Sequence, residues 1–158
     1  MRYELNKQEL LDKISQIRDK LIDIEEASNK RIYLSLEPEN IVETCRFLFE
    51  EVPCRFVIVT GIDSDDCFEM LYHFAYDKTG HFVTAKAFVR DRENPSVESI
   101  TPFILGAEWI EREIHDILGI EFRNHPNMKR LILADDWPEG VYPMRKDAKN
   151  VRLKEASK

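Results

Sequence analysis

Three strand-length apolar segments follow one another with only short polar links between them: Arg55 to Ile62, Phe68 to Asp77 and Phe82 to Val89. This spacing constrains the fold more than any other feature of the chain. Lys78-Thr79-Gly80-His81 separates the second and third segments and supplies a glycine for positive φ, so they form a hairpin. Asp63 to Asp66 is a polar turn between the first and second. The first segment is a nearly unbroken run rich in Val and Ile, which predicts a strand covered on both faces or lying at the sheet centre.

Helical periodicity surrounds this block. Leu10, Ile14, Ile17, Leu21 and Ile24 recur every three or four residues and predict one amphipathic helix over residues 6–24. Asn6 and Glu9 form a capping-box pattern at its start. Arg31 to Leu36 alternates as a strand, with Ile32, Leu34 and Leu36 on one face. Glu37-Pro38 opens a second helix bearing Ile41, Cys45, Leu48 and Phe49 on one side and ending near Pro53, with proline where the first turn tolerates it. Arg90 to Ser96 reads as a loop, and a helix starting near Pro102 or Ala107 runs to Leu118, stopped by Gly119. Three prolines and mixed charges beyond it indicate an extended tail.

The order is α-β-α-β-β-β-α. It predicts an α+β fold, a two-layer sandwich with a mixed, mostly antiparallel sheet and helices on one face. A chain of 158 residues has room for one such domain, here an α/β body over 1–122 and an extended basic docking tail over 123–158.

Charge divides along the same boundary. The chain carries −7; residues 123–158 hold nine basic and five acidic residues, so the body carries −11. An acidic body argues against nucleic-acid binding, which needs a cationic face, and a basic tail suits an acidic partner surface. Cys45, Cys54 and Cys67 have spacings unlike those of zinc or iron–sulfur sites and read as reduced, mostly buried thiols. No apolar run approaches the ~20 residues a membrane span needs. The acidic N-terminus suits neither a secretory signal nor a transit peptide, so the expected location is the cytoplasm or its membrane face.

The densest ionisable cluster is Glu111-Arg112-Glu113-Ile114-His115-Asp116, on a helix whose apolar stripe is Ala107, Ile110, Ile114 and Ile117. Glu108, Arg112 and Asp116 at i, i+4 and i+8 would by themselves make an ion-pair ladder. The pattern continues through Ile117-Leu118, Gly119-Ile120-x-Phe122, His125-Pro126, Lys129-Arg130, Leu131-Ile132 and Pro143-x-Arg145-Lys146-Asp147. This spaced set resembles the signature of the 30 kDa subunit of respiratory complex I and its counterparts in membrane-bound, energy-converting [NiFe] hydrogenases. Two positions depart from it. Asn124 stands where the family commonly has glycine, and both residues tolerate left-handed backbone. The stretch Asp136 to Pro143 is longer than the usual complex I link and looks more like the hydrogenase branch.

The resemblance implies a non-redox structural subunit in the peripheral arm, on the cytoplasmic face of the membrane. Its implied partners are a large catalytic subunit and a small iron–sulfur subunit. Iron–sulfur clusters, and [NiFe] or quinone, would sit in those partners, with no cofactor in this chain. The helix row Glu111, Arg112, Glu113 and Asp116 is expected to hold the tail through charge-assisted bonds to Arg130 or Arg145. Trp137, lying in a proline-flanked irregular segment, needs an apolar pocket of its own chain or of a partner; with Arg145 it is the expected docking hot spot, and Tyr142 and Met144 are further apolar anchors of the tail. The rival reading is a free-standing enzyme using His115, Glu113 and Asp116 for acid–base chemistry, but no nucleophile, metal or cofactor motif accompanies them. His115 suits a surface position and His125 a backbone hydrogen bond, while His73 and His81 lie at the hairpin without metal-ligand spacing. Asp63, Asp65 and Asp66 lack the glycine and terminal glutamate of a calcium loop.

Overall fold

The computed structural model describes residues 6–147. Helix α1 (Lys7–Ile14) begins at the Asn6 capping box, with Asn6 Oδ1 accepting from the Glu9 N–H and Glu9 Oε2 from the Asn6 N–H. The helix does not continue to residue 24. Ile17 leaves helical geometry inside a 3₁₀ segment, Ser15–Lys20, and the chain becomes strand β1 (Leu21–Ser28). The reason is tertiary: Leu21 pairs with Leu36 and Ile24 with Leu34 across an antiparallel hairpin to β2 (Arg31–Leu36). Leu10, Ile14 and Ile17 remain buried, so the helical stripe is right through Ile17 and wrong beyond it.

A 3₁₀ turn at Pro38–Asn40 leads into α2 (Ile41–Arg46), which loosens into a π-type turn over Phe47–Glu51. The meander follows as β3 (Arg55–Asp63), β4 (Phe68–Tyr76) and β5 (His81–Val89), each antiparallel to the next. β5 then pairs parallel with β2, giving the five-stranded order β1-β2-β5-β4-β3. Ile32, Leu34, Leu36, Met70, Tyr72, Phe74, Val83, Ala85 and Ala87 are all buried and form the sheet side of the core. Most of the alternate residues, among them Tyr33, Phe82, His73 and Ile58, face the other way and are half-buried or exposed, although Ala75 and Thr84 on that face are buried.

Two expectations need correction. β3 is neither central nor covered on both faces: it is an edge strand, with Val57, Ile58 and Ile62 exposed. The apolar run marks a strand that could be covered on both faces but does not say what would cover it, and here a bulge between Phe56 and Ile58 also breaks the alternation. The loop after β5 also contains β6 (Ser96–Glu98), which pairs in parallel with β7 (Glu121–Arg123). Between them lies α3 (Glu108–Leu118), entered through a 3₁₀ turn at Leu105–Ala107. α3 packs on β3 where Gly61 leaves room; a Cβ there would stand 2.8 Å from Leu118 Cδ1.

Candidate functional site

The signature residues assemble around α3. Glu108 and Glu111 occupy its first turn, where acidic groups complement the helix dipole. Ile114 and Leu118 are buried against the sheet, and Ile110 and Ile117 pack beside them. Gly119 ends the helix at φ 69°, its N–H donating to the His115 carbonyl. No other residue fits that position: a Cβ would collide with the Tyr142 ring of the returning tail.

Glu111 is fully buried. Its carboxylate accepts from Ser99 Oγ at 2.5 Å, Thr101 Oγ1 at 2.8 Å and the Ile100 N–H at 2.9 Å. Burial nevertheless pushes its carboxyl above the usual range, with those three bonds and His125 pulling the other way. His125 Nδ1 accepts the Asn127 N–H at 3.1 Å, so the ring proton sits on Nε2 and is donated to the Glu108 carbonyl at 3.1 Å. Nε2 lies 3.8 Å from Glu111 Oε2, both side chains being fully buried. Glu111 therefore ties α3 to the Ser99–Thr101 turn, and His125 ties the chain after β7 back to the start of α3. Asn124, at φ 61°, adopts the left-handed backbone that its place before His125-Pro126 requires, and Pro126 is exposed in the same turn.

The middle and end of α3 hold the tail through its main chain. Arg112 donates to the carbonyls of Lys129 at 2.8 Å and Arg130 at 3.1 Å. Asp116 Oδ2 accepts three successive N–H groups, those of Leu131 at 2.8 Å, Ile132 at 2.9 Å and Leu133 at 3.3 Å. Burial alone would raise the Asp116 carboxyl, but these three donors outweigh it and hold it below the usual carboxylate range. Arg130 Nη1 donates to the carbonyls of Ala134, Asp135 and Trp137, and Trp137 Nε1 donates to the Val141 carbonyl. Of the helix row, only Arg112 and Asp116 hold the tail, and they do so through its backbone groups; the expected bonds to the Arg130 and Arg145 side chains do not form, because those guanidinium groups donate to main-chain carbonyls instead. Glu113 has no polar partner among the described residues.

The tail then returns to the body. Tyr142 rests on Gly119, and the Met144 N–H following exposed Pro143 donates to the Ile117 carbonyl. Arg145 Nε donates to the Leu118 carbonyl at 2.7 Å, and its guanidinium lies 4.9 Å from the Phe68 ring and 4.8 Å from that of Tyr142. Lys146 reaches the β3–β4 turn, its N–H donating to Asp63 Oδ2 and its Nζ pairing with Asp65. Asp147 lies within electrostatic reach of Arg92, which itself pairs with Asp63 at 2.8 Å. Residues 148–158 of the basic tail lie outside the described residues.

A cleft of ≈ 380 Å³ remains between α3 and the tail, lined by His115, Asp116, Lys129, Arg130, Trp137 and Tyr142 among others. Trp137 is half-buried there, so its pocket belongs to its own chain. His115 is half-buried rather than on the surface, its Nδ1–H donating to the Ile120 carbonyl at 3.0 Å. Ser99, Thr101 and Asn127 complete the arrangement and were not legible as parts of it, whereas Tyr142 was expected as an apolar anchor of the tail and here rests on Gly119 of its own chain. Only the Ser99-x-Thr101 hydroxyl pair ahead of a glutamate-bearing helix could have hinted at a buried carboxylate. Cys45 and Cys54 are buried, and burial pushes the Cys54 thiol up to about 12.

The family model for the respiratory-chain NADH dehydrogenase 30 Kd subunit matches residues 34–152. The chain is 36% identical over 145 residues to a subunit of the NADH-quinone oxidoreductase of Sinorhizobium medicae, covering 88% of this chain and 70% of that one. It is 32% identical over 120 residues to the corresponding NADH-quinone oxidoreductase subunit of Citrifermentans bemidjiense, covering 73% of each. Its fold matches a chain of the membrane-bound sulfane sulfur reductase, an archaeal respiratory membrane complex, with TM-score 0.77 over 91% of this chain and 86% of that one, at 22% identity. A trypsin-resistant fragment (1–134) of Nqo5 matches with TM-score 0.64 over 75% of this chain and 98% of the fragment, at 22% identity. From the signature helix to the tail it holds, the chain belongs to the family of the respiratory-chain NADH dehydrogenase 30 kDa subunit.

Proposed function

We propose that this chain is a non-redox structural subunit of a complex I-like, membrane-bound oxidoreductase, and that it docks on the large catalytic subunit. One observation carries the reading against the enzyme alternative. Of the three groups that the rival acid–base site would use, His115 and Asp116 are already engaged by the protein's own main chain, which leaves Glu113 alone without a base or acid to work with. Asp116 holds three backbone N–H groups, His115 holds the Ile120 carbonyl, and both nitrogens of His125 are taken. Such a cluster builds a rigid unit from α3 and the tail. Around that unit stand exposed apolar side chains, with Leu105 73% and Trp109 64% exposed, and Ile132 and Met144 likewise open. Large apolar groups on a rigid frame suit a protein partner. Trp109, rather than the half-buried Trp137, is the expected anchor.

The long Asp136–Pro143 link supports the energy-converting hydrogenase branch. The identity of 36% to an NADH-quinone oxidoreductase subunit supports the quinone-reducing branch as a second reading. In both, the iron–sulfur clusters and the [NiFe] or quinone site belong to the large catalytic and small iron–sulfur subunits, and the complex sits on the cytoplasmic face of the membrane. Among the described residues, no helix is long and apolar enough to cross a membrane. Metal analysis and absorption spectroscopy of the purified chain test the non-redox assignment. The expected result is no stoichiometric iron, nickel or flavin; stoichiometric iron or a flavin spectrum contradicts it.

A further inference from the structure

The two edges of the five-stranded sheet are built differently. β1, at one edge, carries Asp23, Glu25 and Glu26 as exposed charges, a common protection against unwanted strand pairing. β3, at the other edge, runs nine residues and has no charge from Phe56 to Ile62 and no proline. Val57 and Ile62 are 41% exposed and Ile58 is 44% exposed. β3 pairs only with β4, and among the described residues no backbone hydrogen bond reaches its outer side. The Leu105-Gly106 turn, with exposed Leu105, stands beside Phe56, so the apolar edge continues toward Trp109 and the proposed docking face.

We propose that β3 accepts an added strand from the large catalytic subunit, a segment apolar at alternate positions with Lys or Arg beyond its ends. An outward row of N–H and C=O groups is matched only by another extended backbone, and the exposed Val and Ile side chains supply the apolar contacts. Charge selects the occupant. Asp66, just past the end of β3, and Glu51, just before its start, are exposed carboxylates with no side-chain partner among the described residues, Lys13 reaching only the main-chain carbonyl of Glu51. A segment with basic ends satisfies both. A second copy of this chain would set one body of charge −11 against another. The inference rests on the docking reading above and adds a contact separate from α3 and the tail.

The test is hydrogen exchange of residues 55–63 in the full chain, free and in its native complex purified through a tag on this chain. In the complex, outward-directed amides of β3 slow by about tenfold or more, and one extended, basic-ended segment of the large subunit slows with them. The double variant Ile58→Lys/Ile62→Lys lowers the yield of complex by about fivefold, whereas Ile22→Lys on the opposite edge does not. If the double variant fails to fold, exchange in the unaltered complex decides alone. Equal exchange rates in the free and assembled chain overturn the proposal. Concentration-dependent protection in the free chain also overturns it, by identifying a second copy as the occupant, as does protection lost when the chain is shortened after Asp147. A complex that forms without protection at β3 removes this inference only. Failure to recover any large subunit removes the docking reading with it.

Discussion

At the level of single residues, two carboxyls on α3 respond to pH in opposite senses. Asp116 is held below the usual range, so its contribution to stability is full above about pH 4 and is lost as pH falls through its folded value. Glu111 is pushed above the usual range by burial, so its contribution is full below about pH 4 and is lost as pH rises through its folded value. Denaturant titrations of Asp116→Asn should therefore show a larger loss of stability at pH 7 than at pH 3. Those of Glu111→Gln should show a larger loss at pH 4 than at pH 7. Dependences of the same sign would contradict the assigned environments. Tyr72 gives a complementary test, because its buried hydroxyl has no hydrogen-bond partner among the described residues. Tyr72→Phe should raise stability by about 1 kcal/mol, since an unpaired buried hydroxyl costs roughly 1–3 kcal/mol. A destabilised variant would mean that the hydroxyl is satisfied.

Among the elements, the join of α3 to the tail is the most sharply specified. Gly119 is needed twice, for its left-handed backbone and for the Tyr142 ring lying against it. Gly119→Ala should cost about 3 kcal/mol or more, combining ~1–2 kcal/mol of backbone strain with displacement of the ring. Adding Tyr142→Ala should restore part of that loss in a double-mutant cycle, while strictly additive losses would show that the ring does not press on the glycine. Gly119 was legible as a helix stop because glycine at that position has a local cause. Tyr142 was not, because a contact across more than twenty residues leaves no periodic trace. The same distinction explains α1 and β3. The stripe from Leu10 to Ile17 is helical, whereas Leu21 and Ile24 share its spacing but are claimed by pairing with β2. Likewise, the apolar run in β3 identified a strand but carried no information about which side of the sheet would receive it.

Across the whole molecule, the α+β class, the meander and the family are as the sequence reads, whereas the parallel pairing of β5 with β2 went beyond the mixed sheet it predicted. The charged signature helix turns out to be the frame on which the tail is laid, with the apolar anchors outside it. That arrangement predicts a subunit whose chemistry is assembly. The most direct test is native purification of the tagged chain from its own cells, with quantitative mass spectrometry of the bound proteins, for the wild type and for Trp109→Ala/Leu105→Ala. The wild type should carry the large catalytic subunit at near-equal stoichiometry, and the double variant should lose most of it while keeping its melting temperature. A wild-type chain recovered alone, or a double variant that retains its full complement of large subunit, would contradict docking through this face.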